Sequence, residues 1–125
     1  MLDDRTVKCW GEGSYGRLGQ DAGADIGDDA NEMGNALPPI HLGDERTAVG
    51  VSAGKTHTCA VLDDGTAKCW GRSPDGQLGQ DSERSYGADR FTSMNTLEAI
   101  NLGEGRTARI ITAGADHTCA LLDDW

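Results

Sequence analysis

The stretch that decides the fold is "HTCAVLDDGTAKCWG", residues 57–71. Two runs that suit β-strands, "HTCAVL" and "TAKCWG", flank the turn signal Asp63-Asp64-Gly65. A three-residue hairpin loop with glycine in the left-handed conformation fits this signal, so we predict a β-hairpin with Gly65 at the left-handed position. Parts of the stretch recur as "LDDRTVKCWG" at residues 2–11 and as "HTCALLDD" at residues 117–124.

These recurrences belong to a repeat that covers nearly the whole chain of 125 residues. Residues 2–61 align with residues 62–121 without a gap, at a period of 60 residues and with about half of the positions identical. Self-similarity at such a period is typical of solenoids, propellers and arrays, in which one unit cannot bury its apolar face alone. We therefore predict two permuted blade units, 2–61 and 62–121, that together form part of one propeller.

Each unit predicts four short strands. The runs "AVGVSAG" and "ARIITAG" are strands that end at Gly54 and Gly114, and the hairpin supplies two more. A fourth strand is placed near "LPPIHL" and "LEAINL", where Pro38 and Pro39 suit an outer edge. The fold class is accordingly all-β: propeller blades of four short antiparallel strands, with one complete blade and two half blades.

In such blades, several repeated residues have structural roles. Gly54 and Gly114 are expected where neighbouring blades crowd together, and Trp10 and Trp70 are expected as apolar wedges between blades.

Composition and charge exclude several classes of function. The formal charge is −10 and the eleven Lys and Arg residues are scattered, so neither a nucleic-acid surface nor an anionic membrane surface is expected. No apolar run approaches the ~20 residues of a membrane span, and the first residues show neither the basic region nor the apolar core of a signal peptide. A protein partner is the expectation that remains.

The chain has four cysteines, which are Cys9, Cys59, Cys69 and Cys119. Their even number and repeated placement favour disulfides, with buried free thiols as the alternative. A zinc site fits poorly because no two of them lie within four residues of each other. Since disulfides persist in oxidising compartments, we expect an extracellular or cell-surface location.

The hairpin loop fixes which cysteines can pair within a blade. With Asp63-Asp64-Gly65 as the loop, stepping back along both strands places Cys59 opposite Cys69 in a non-hydrogen-bonded pair. The Cα atoms of such a pair are ~4.5 Å apart, which a disulfide accepts. We therefore predict a Cys59–Cys69 disulfide; a two-residue loop would instead oppose Cys59 to Trp70.

The motifs resemble the repeats of the regulator of chromosome condensation. Those repeats combine an "aGxxHt" strand, a "DG" turn, a "WG" strand and a "GqLG" segment, as in "SAGKTHTCAVLDDGTAKCWGRSPDGQLG" and "TAGADHTCALLDD". The resemblance implies a propeller, usually of seven blades, that acts as a rigid interaction surface. Light-sensing members place tryptophans before the His-Thr motif, where this chain has Lys55-Thr56 and Ala115-Asp116. A cysteine pair inside each blade is similar to exported or surface-exposed members.

The function expected from these features is a non-enzymatic scaffold for protein interactions that needs no cofactor. The alternative is a purely structural blade segment of a larger extracellular or assembled protein.

A catalytic interpretation of His57 with Cys59, or of His117 with Cys119, is disfavoured. Residues i and i+2 on one strand have side chains ~6–7 Å apart, farther than a base and its nucleophile. Because the histidine recurs at the same position of both units, we expect it to be a structural residue that hydrogen-bonds a neighbouring loop. His41, which has no counterpart in the second unit, is expected on the surface.

The acidic stretch "DAGADIGDDANE", residues 21–32, places carboxylates at positions 1, 5, 9 and 12, as a calcium loop does. However, Ile26 stands where the sharp turn needs glycine, and Gly23 stands at a ligand position. We therefore predict a solvated acidic loop and no metal site.

The order of the motifs also leads to an expectation about assembly. The "HTCALL" strand at 117–122 lacks a following "KCWG" strand, and "TVKCWG" at 6–11 lacks a preceding one. Members of the resembled family close their ring by completing a blade from two such pieces. Cys119 is therefore expected to face Cys9 of another copy, with six blades from three chains or eight from four; the alternative is that a longer chain supplies the missing strands. Arg5 and Trp125 replace Gly65 in turns expected to be severed.

Overall fold

The computed structural model describes residue 2 and residues 4–123. Its regular structure is antiparallel β-sheet. The strands are β1 (Ala48–Ala53), β2 (His57–Leu62), β3 (Ala67–Gly71), β4 (Ala108–Ala113) and β5 (Thr118–Leu122). They form one three-stranded sheet in the order β1-β2-β3 and one two-stranded sheet of β4 and β5. The all-β prediction is confirmed.

The turn between β2 and β3 has the predicted form. Gly65 is left-handed, with φ +84°, and the Leu62 amide donates to the Thr66 carbonyl at 2.8 Å. The Asp64 carboxylate accepts from the amide and the hydroxyl of Thr66, at 3.0 and 2.7 Å. Local sequence therefore determines this hairpin: an aspartate closes the turn and a glycine takes the conformation that other residues avoid.

The three-stranded sheet is covered on both faces. One face carries Ala60, Leu62 and Trp70, which pack with residues that come mainly from the first unit: Val7, Ile40, Leu42, Ala48, Met94 and Leu97. The other face carries cysteines and small aliphatic residues that pack against β4 and its surroundings: Cys59, Val61, Ala67, Cys69, Leu78, Ala108 and Ile111. Because successive residues of a strand point to opposite faces, every residue of β2 is buried.

The predicted fourth strand does not form a ladder, which corrects the four-strand blade in this detail. The segments "LPPIHL" and "LEAINL" each make one backbone hydrogen bond to an adjacent segment. The Ile40 amide donates to the Val7 carbonyl and the Ile100 amide donates to the Ala67 carbonyl, both at 2.8 Å. Pro38 and Pro39 have no amide hydrogen to donate. The 3-10 turns Gly34–Ala36 and Met94–Thr96 bend the chain just before each segment.

The remaining helical structure consists of single 3-10 turns. Besides the two above, these are Ser14–Gly16 and Arg90–Thr92. Over residue 2 and residues 4–123, no helix is long and apolar enough to cross a membrane.

The turn at residues 2–6 is formed, so the expectation that it would be severed is wrong. The Leu2 amide donates to the Thr6 carbonyl at 2.9 Å, and the Arg5 amide donates to the Leu2 carbonyl at 2.9 Å. Arg5 adopts φ +64°, since the Asp4 carboxylate holds the amide and hydroxyl of Thr6 at 3.0 and 2.7 Å. Trp125, the other residue of this expectation, lies outside the described residues.

Candidate protein-interaction surface

Strand β5 has one edge paired with β4 and one unpaired edge in its two-stranded sheet. It pairs with β4 in a register that places Thr112 opposite Cys119 and Ile111 opposite Ala120. Because hydrogen-bonding directions alternate along an antiparallel strand, the backbone groups of Thr118 and Ala120 point away from β4. Within the described part of the chain, no further strand pairs with this edge.

The side chains around this edge are apolar and exposed. Leu121 is 40% exposed and Ile110 is 54% exposed, and Cys119 and Ala120 are also exposed. A contiguous set of exposed apolar residues beside an unpaired strand is typical of a binding surface.

A groove of about 320 Å³ runs along β5, and we call it the β5 groove. Its lining includes Gly79, Ile100, Leu102, His117, Cys119 and Ala120. At its floor the Gln77 carbonyl accepts from the Thr118 hydroxyl at 2.8 Å. The Gln77 side chain is buried, and its Nε2 has no hydrogen-bond partner. The lining also includes Asp75 and Asp116, so the groove combines apolar wall residues with two acidic residues and with polar atoms of Gln77.

The two repeated histidines differ in environment. His57 is 1% exposed, and its Nε2 lies 2.8 Å from the Thr118 hydroxyl. The partner belongs to strand β5 and not to a loop, because β2 packs directly on the second sheet. Burial lowers the pKa of His57 below its usual value. His117 is exposed.

Cys59 and Cys69 lie opposite one another in the register deduced from the loop length. A disulfide joins them, with the Cα atoms 4.1 Å apart. Cys59 therefore offers no thiol to His57.

Cys9 and Cys119 carry free thiols. Burial raises the pKa of Cys9, which is half-buried, whereas Cys119 is exposed. A link between these two residues of different copies stays a prediction.

The two tryptophans also differ in their surroundings within one chain, and the wedge prediction for Trp10 stays a prediction. Trp70 is fully buried and its Nε1 donates to the Arg17 carbonyl at 3.1 Å. Trp10 is 62% exposed, because no strand and no neighbouring unit covers its outer face within the described residues. It lies beside Gly27, where an added Cβ would be 3.5 Å from its Cδ1.

Gly54 and Gly114 lie where the two sheets approach each other. A Cβ added at Gly54 would lie 2.5 Å from the Gly114 carbonyl oxygen and 2.8 Å from Cε1 of His57. This is the crowding that the repeated glycines were predicted to relieve.

The acidic stretch uses most of its predicted carboxylates to hold backbone amides at separate places. Asp21 accepts from the Met94 amide at 2.7 Å, and Asp25 accepts from the Gly13 amide at 2.9 Å. Glu32 accepts from the Gly27 and Asp29 amides at 2.6 and 3.1 Å. The Asp29 amide, followed by that of Gly27, lowers the pKa of Glu32. The carboxylates of Asp28, Asp29 and Glu32 come together at the surface, and His41 is likewise exposed.

Sequence reasoning missed the parts played by Arg17 and Gln77. The Arg17 carbonyl accepts from both Trp70 and the Thr58 hydroxyl, the latter at 2.9 Å, and the Gln77 carbonyl accepts from Thr118. Both residues directly precede the repeated "LGQD". However, every residue has a backbone carbonyl, so the residue type does not reveal this role. The only signal in the sequence is the repeated motif that follows both residues.

Comparisons with known proteins agree with this architecture. The family model of the regulator of chromosome condensation (RCC1) repeat matches residues 7–61, and a second model of the same repeat matches residues 48–77. The ultraviolet-B receptor UVR8 of Arabidopsis thaliana is 31% identical over 119 residues, which are 94% of this chain and 23% of the receptor.

Solved structures give the same fold. Human WBSCR16 matches with a TM-score of 0.62 at 18% identity, over 97% of this chain and 27% of that one. Prp20p of Saccharomyces cerevisiae matches with a TM-score of 0.61 at 25% identity, over 95% of this chain and 26% of that one. The chain therefore spans about a quarter of the length of these relatives. Together, the two repeat models cover residues 7–77, more than half of the sequence, and the chain belongs to the regulator of chromosome condensation repeat family.

Proposed function

We propose that this chain is a non-enzymatic module for protein interactions, and that an extended polypeptide of the partner binds at β5. The observation that carries the proposal is the unpaired edge of β5, flanked by exposed Ile110 and Leu121. An extended peptide adds to such an edge through main-chain hydrogen bonds, and grooves beside the edge select its side chains. The β5 groove supplies such a pocket.

Relatives in the same fold support a protein partner. Yeast RCC1 (Prp20) has been solved in complex with Kap60, and Prp20p binds Gsp1p and histones. The charge of −10 disfavours phosphate-bearing partners. The disulfide of Cys59 favours an extracellular or cell-surface setting for the interaction.

The chemistry of the repeated residues supports a role without catalysis. His57 contacts Thr118 and has no thiol beside it, since Cys59 is in the disulfide. The remaining free thiols, Cys9 and Cys119, belong to different units. No cofactor is needed for peptide binding at a strand edge.

The test is a library of displayed random peptides of about twelve residues, whose extended length of ~40 Å is about twice that of the five-residue strand β5. Selected peptides are then titrated into ¹⁵N-labelled protein. We expect amide shifts and slowed hydrogen exchange at Thr118–Leu122, with β2 unchanged. Peptides that map elsewhere would overturn the proposal.

A matched pair of variants sharpens this test. Ala120→Pro removes an outward amide and leaves the β4–β5 bonds intact, so peptide binding should be lost while the fold remains. Phe91→Ala changes an exposed aromatic residue (70% exposed) away from β5 and should bind as the unaltered protein does.

The alternative is a purely structural blade segment of a larger extracellular or assembled protein. It is favoured by one observation, that the chain spans about a quarter of its relatives. In that case the β5 edge is covered by the next blade. A well-folded sample that selects no peptide would support this alternative and count against an interaction module.

A further inference from the structure

The repeat shows what fits the β5 groove, because the same place in the first unit is filled. The six lining residues named above have counterparts sixty positions earlier in the sequence, which are Gly19, Ile40, Leu42, His57, Cys59 and Ala60. Of these, Ile40, Leu42 and Ala60 pack with Trp70 in one core cluster, and a Cβ added at Gly19 would lie 2.9 Å from Nε1 of Trp70 and 2.9 Å from Cγ2 of Ile40. Cys59 lies on the opposite face of the sheet. The β5 groove is therefore the second copy of a tryptophan pocket.

The base of the groove has the polar atom that an indole needs. In the filled pocket the Arg17 carbonyl accepts from the Thr58 hydroxyl and from Nε1 of Trp70. In the β5 groove the Gln77 carbonyl accepts from the Thr118 hydroxyl. A carbonyl oxygen has two lone pairs, so the Gln77 oxygen can accept a second bond from an indole.

A second groove of about 360 Å³, the Trp10 groove, has the complementary shape. Its lining includes Lys8, Cys9, Trp10, Ala53, Gly54 and Thr58. The positions sixty residues later surround strand β2: Cys69 is bonded to Cys59 and the Thr118 hydroxyl contacts His57. The Trp10 groove is therefore shaped for a "His-Thr-Cys" strand.

Exposure of individual side chains agrees with this complementarity. Val51 is 38% exposed, whereas its counterpart Ile111 is 6% exposed and packs on the face of β2. Leu121 is 40% exposed, whereas its counterpart Val61 is 1% exposed. The two uncovered apolar residues are those that meet each other between consecutive units.

We propose that the occupant of the β5 groove is residues 5–11 of a second copy of this chain. In this pairing Trp10 of one copy enters the β5 groove of the other and donates to its Gln77 carbonyl. Cys9 then faces Cys119, as Cys69 faces Cys59, and His117 reaches Thr58 across the interface. The proposal rests on the proposed function, because it names the partner of β5.

The paired thiols can be joined by exchange with a small disulfide such as oxidised glutathione. One protein thiolate attacks the small disulfide, forms a mixed disulfide and releases one glutathione thiol. The second protein thiolate then attacks the mixed disulfide, forms the Cys9–Cys119 bond and releases the second glutathione thiol. The two protein thiols are oxidised and one glutathione disulfide is reduced.

Two single variants of the full chain test the pairing. C9S retains only Cys119 as a free thiol, and C119S retains only Cys9. With oxidised glutathione in about 0.15 M salt, which screens the repulsion between two acidic copies, the mixture should give one covalent dimer on a non-reducing gel. Each variant alone should stay monomeric. Dimers that form as readily from C9S alone would overturn the head-to-tail pairing.

Trp10 supplies the second arm of the test. C119S that also carries W10A should cross-link to C9S at least about tenfold more slowly, since one buried aromatic side chain is worth at least a factor of ten in affinity. C119S that also carries F91A is the matched control and should cross-link at the unaltered rate. An equal rate for W10A and F91A would overturn the role of Trp10.

The outcomes separate this inference from the proposed function. If selected peptides bind β5 but the mixture of C9S and C119S gives no dimer, peptide binding stands and the second copy is wrong. If neither peptides nor a second copy bind β5, both proposals are wrong.

Discussion

Strands β2 and β5 share the residues Thr-Cys-Ala but lie in opposite environments. "HTCA" occupies 57–60 and 117–120, yet all of β2 is buried while most of β5 is exposed. The difference arises from neighbours: β2 has β3 on one side and β4 across its face, and β5 has only β4 beside it. Burial in this fold is thus a property of the completed blade and not of the strand sequence.

The turns of the two units show the reverse behaviour. The turns at 62–66 and 2–6 have the same hydrogen bonds, with Thr66 held by Asp64 and Thr6 held by Asp4. The match holds even though glycine stands in one turn and Arg5 in the other. Turn geometry is therefore encoded within five residues, whereas the packing of a strand depends on residues up to sixty positions away.

The largest test of this comparison replaces the two tryptophans. W70A should lower the free energy of unfolding by about 3 to 5 kcal/mol, because it empties a buried pocket and leaves the Arg17 carbonyl with one fewer donor. W10A should change it by less than about 0.5 kcal/mol in dilute solution, because Trp10 is 62% exposed. Urea unfolding followed by circular dichroism measures both.

A companion variant keeps this prediction testable if W70A fails to fold. W70F retains an aromatic ring but loses the indole donor and part of the buried ring volume, so its cost should be about 1 to 3 kcal/mol, less than that of W70A. Equal losses for W70A and W10A would show that the two tryptophans do not differ in packing.

The second prediction compares the two cysteine pairs. C59A/C69A should lower the free energy of unfolding by about 2 to 3 kcal/mol, because the disulfide closes a loop with a sequence separation of 10. C9A/C119A, which removes only free thiols, should have less than about 0.5 kcal/mol effect in dilute solution. Reducing agent added to the unaltered protein should reproduce the first loss; the absence of any such loss would contradict the prediction.

Sequence alone predicts much of this fold because its signals are local and repeated. The alternation in "HTCAVL" and the "DDG" turn determine the hairpin, and the loop length determines that Cys59 opposes Cys69. With three residues in the loop, Leu62 opposes Thr66, and this pairing sets the register of the whole hairpin. Strands β1 and β4 follow from the same pattern, and each ends before its repeated glycine.

What sequence could not predict depends on neighbours or on backbone atoms. The exposure of Trp10 follows from which unit covers it, and the repeat by itself predicts the same wedge as for Trp70. The β5 groove depends on the backbone carbonyl of Gln77, whose position cannot be predicted from the residue type. The fourth strand does not form because 3-10 turns bend the chain just before Leu37 and Leu97. The sequences of these turns contain few distinctive residues.

A smaller effect is expected from the glycine of the hairpin. G65A should cost about 1 to 2 kcal/mol, because φ is +84° and the added Cβ would lie 2.7 Å from Cβ of Thr107. G76A is the matched control: its φ is +75° and an added Cβ would meet no described atom within 4 Å. The difference between the two variants in thermal unfolding isolates the contact between the hairpin turn and Thr107. A larger loss for G76A than for G65A would contradict this contact.

The smallest effect concerns pH and compares His57 with His117. Burial lowers the pKa of His57 in the folded protein, although the His117 backbone and the Asp116 charge act in the opposite direction, so the unfolded chain takes a proton first as pH falls below about 6.5. The contribution of His57 to the free energy of unfolding should therefore be constant above pH ~7.5 and should fall as pH decreases below about 6.5, by at most about 1.4 kcal/mol per pH unit. H57Q should flatten this fall, whereas H117Q should keep it, because His117 is exposed. Urea unfolding at a series of pH values measures the slope, and an unchanged slope in H57Q would show that the buried contact with Thr118 is not its origin.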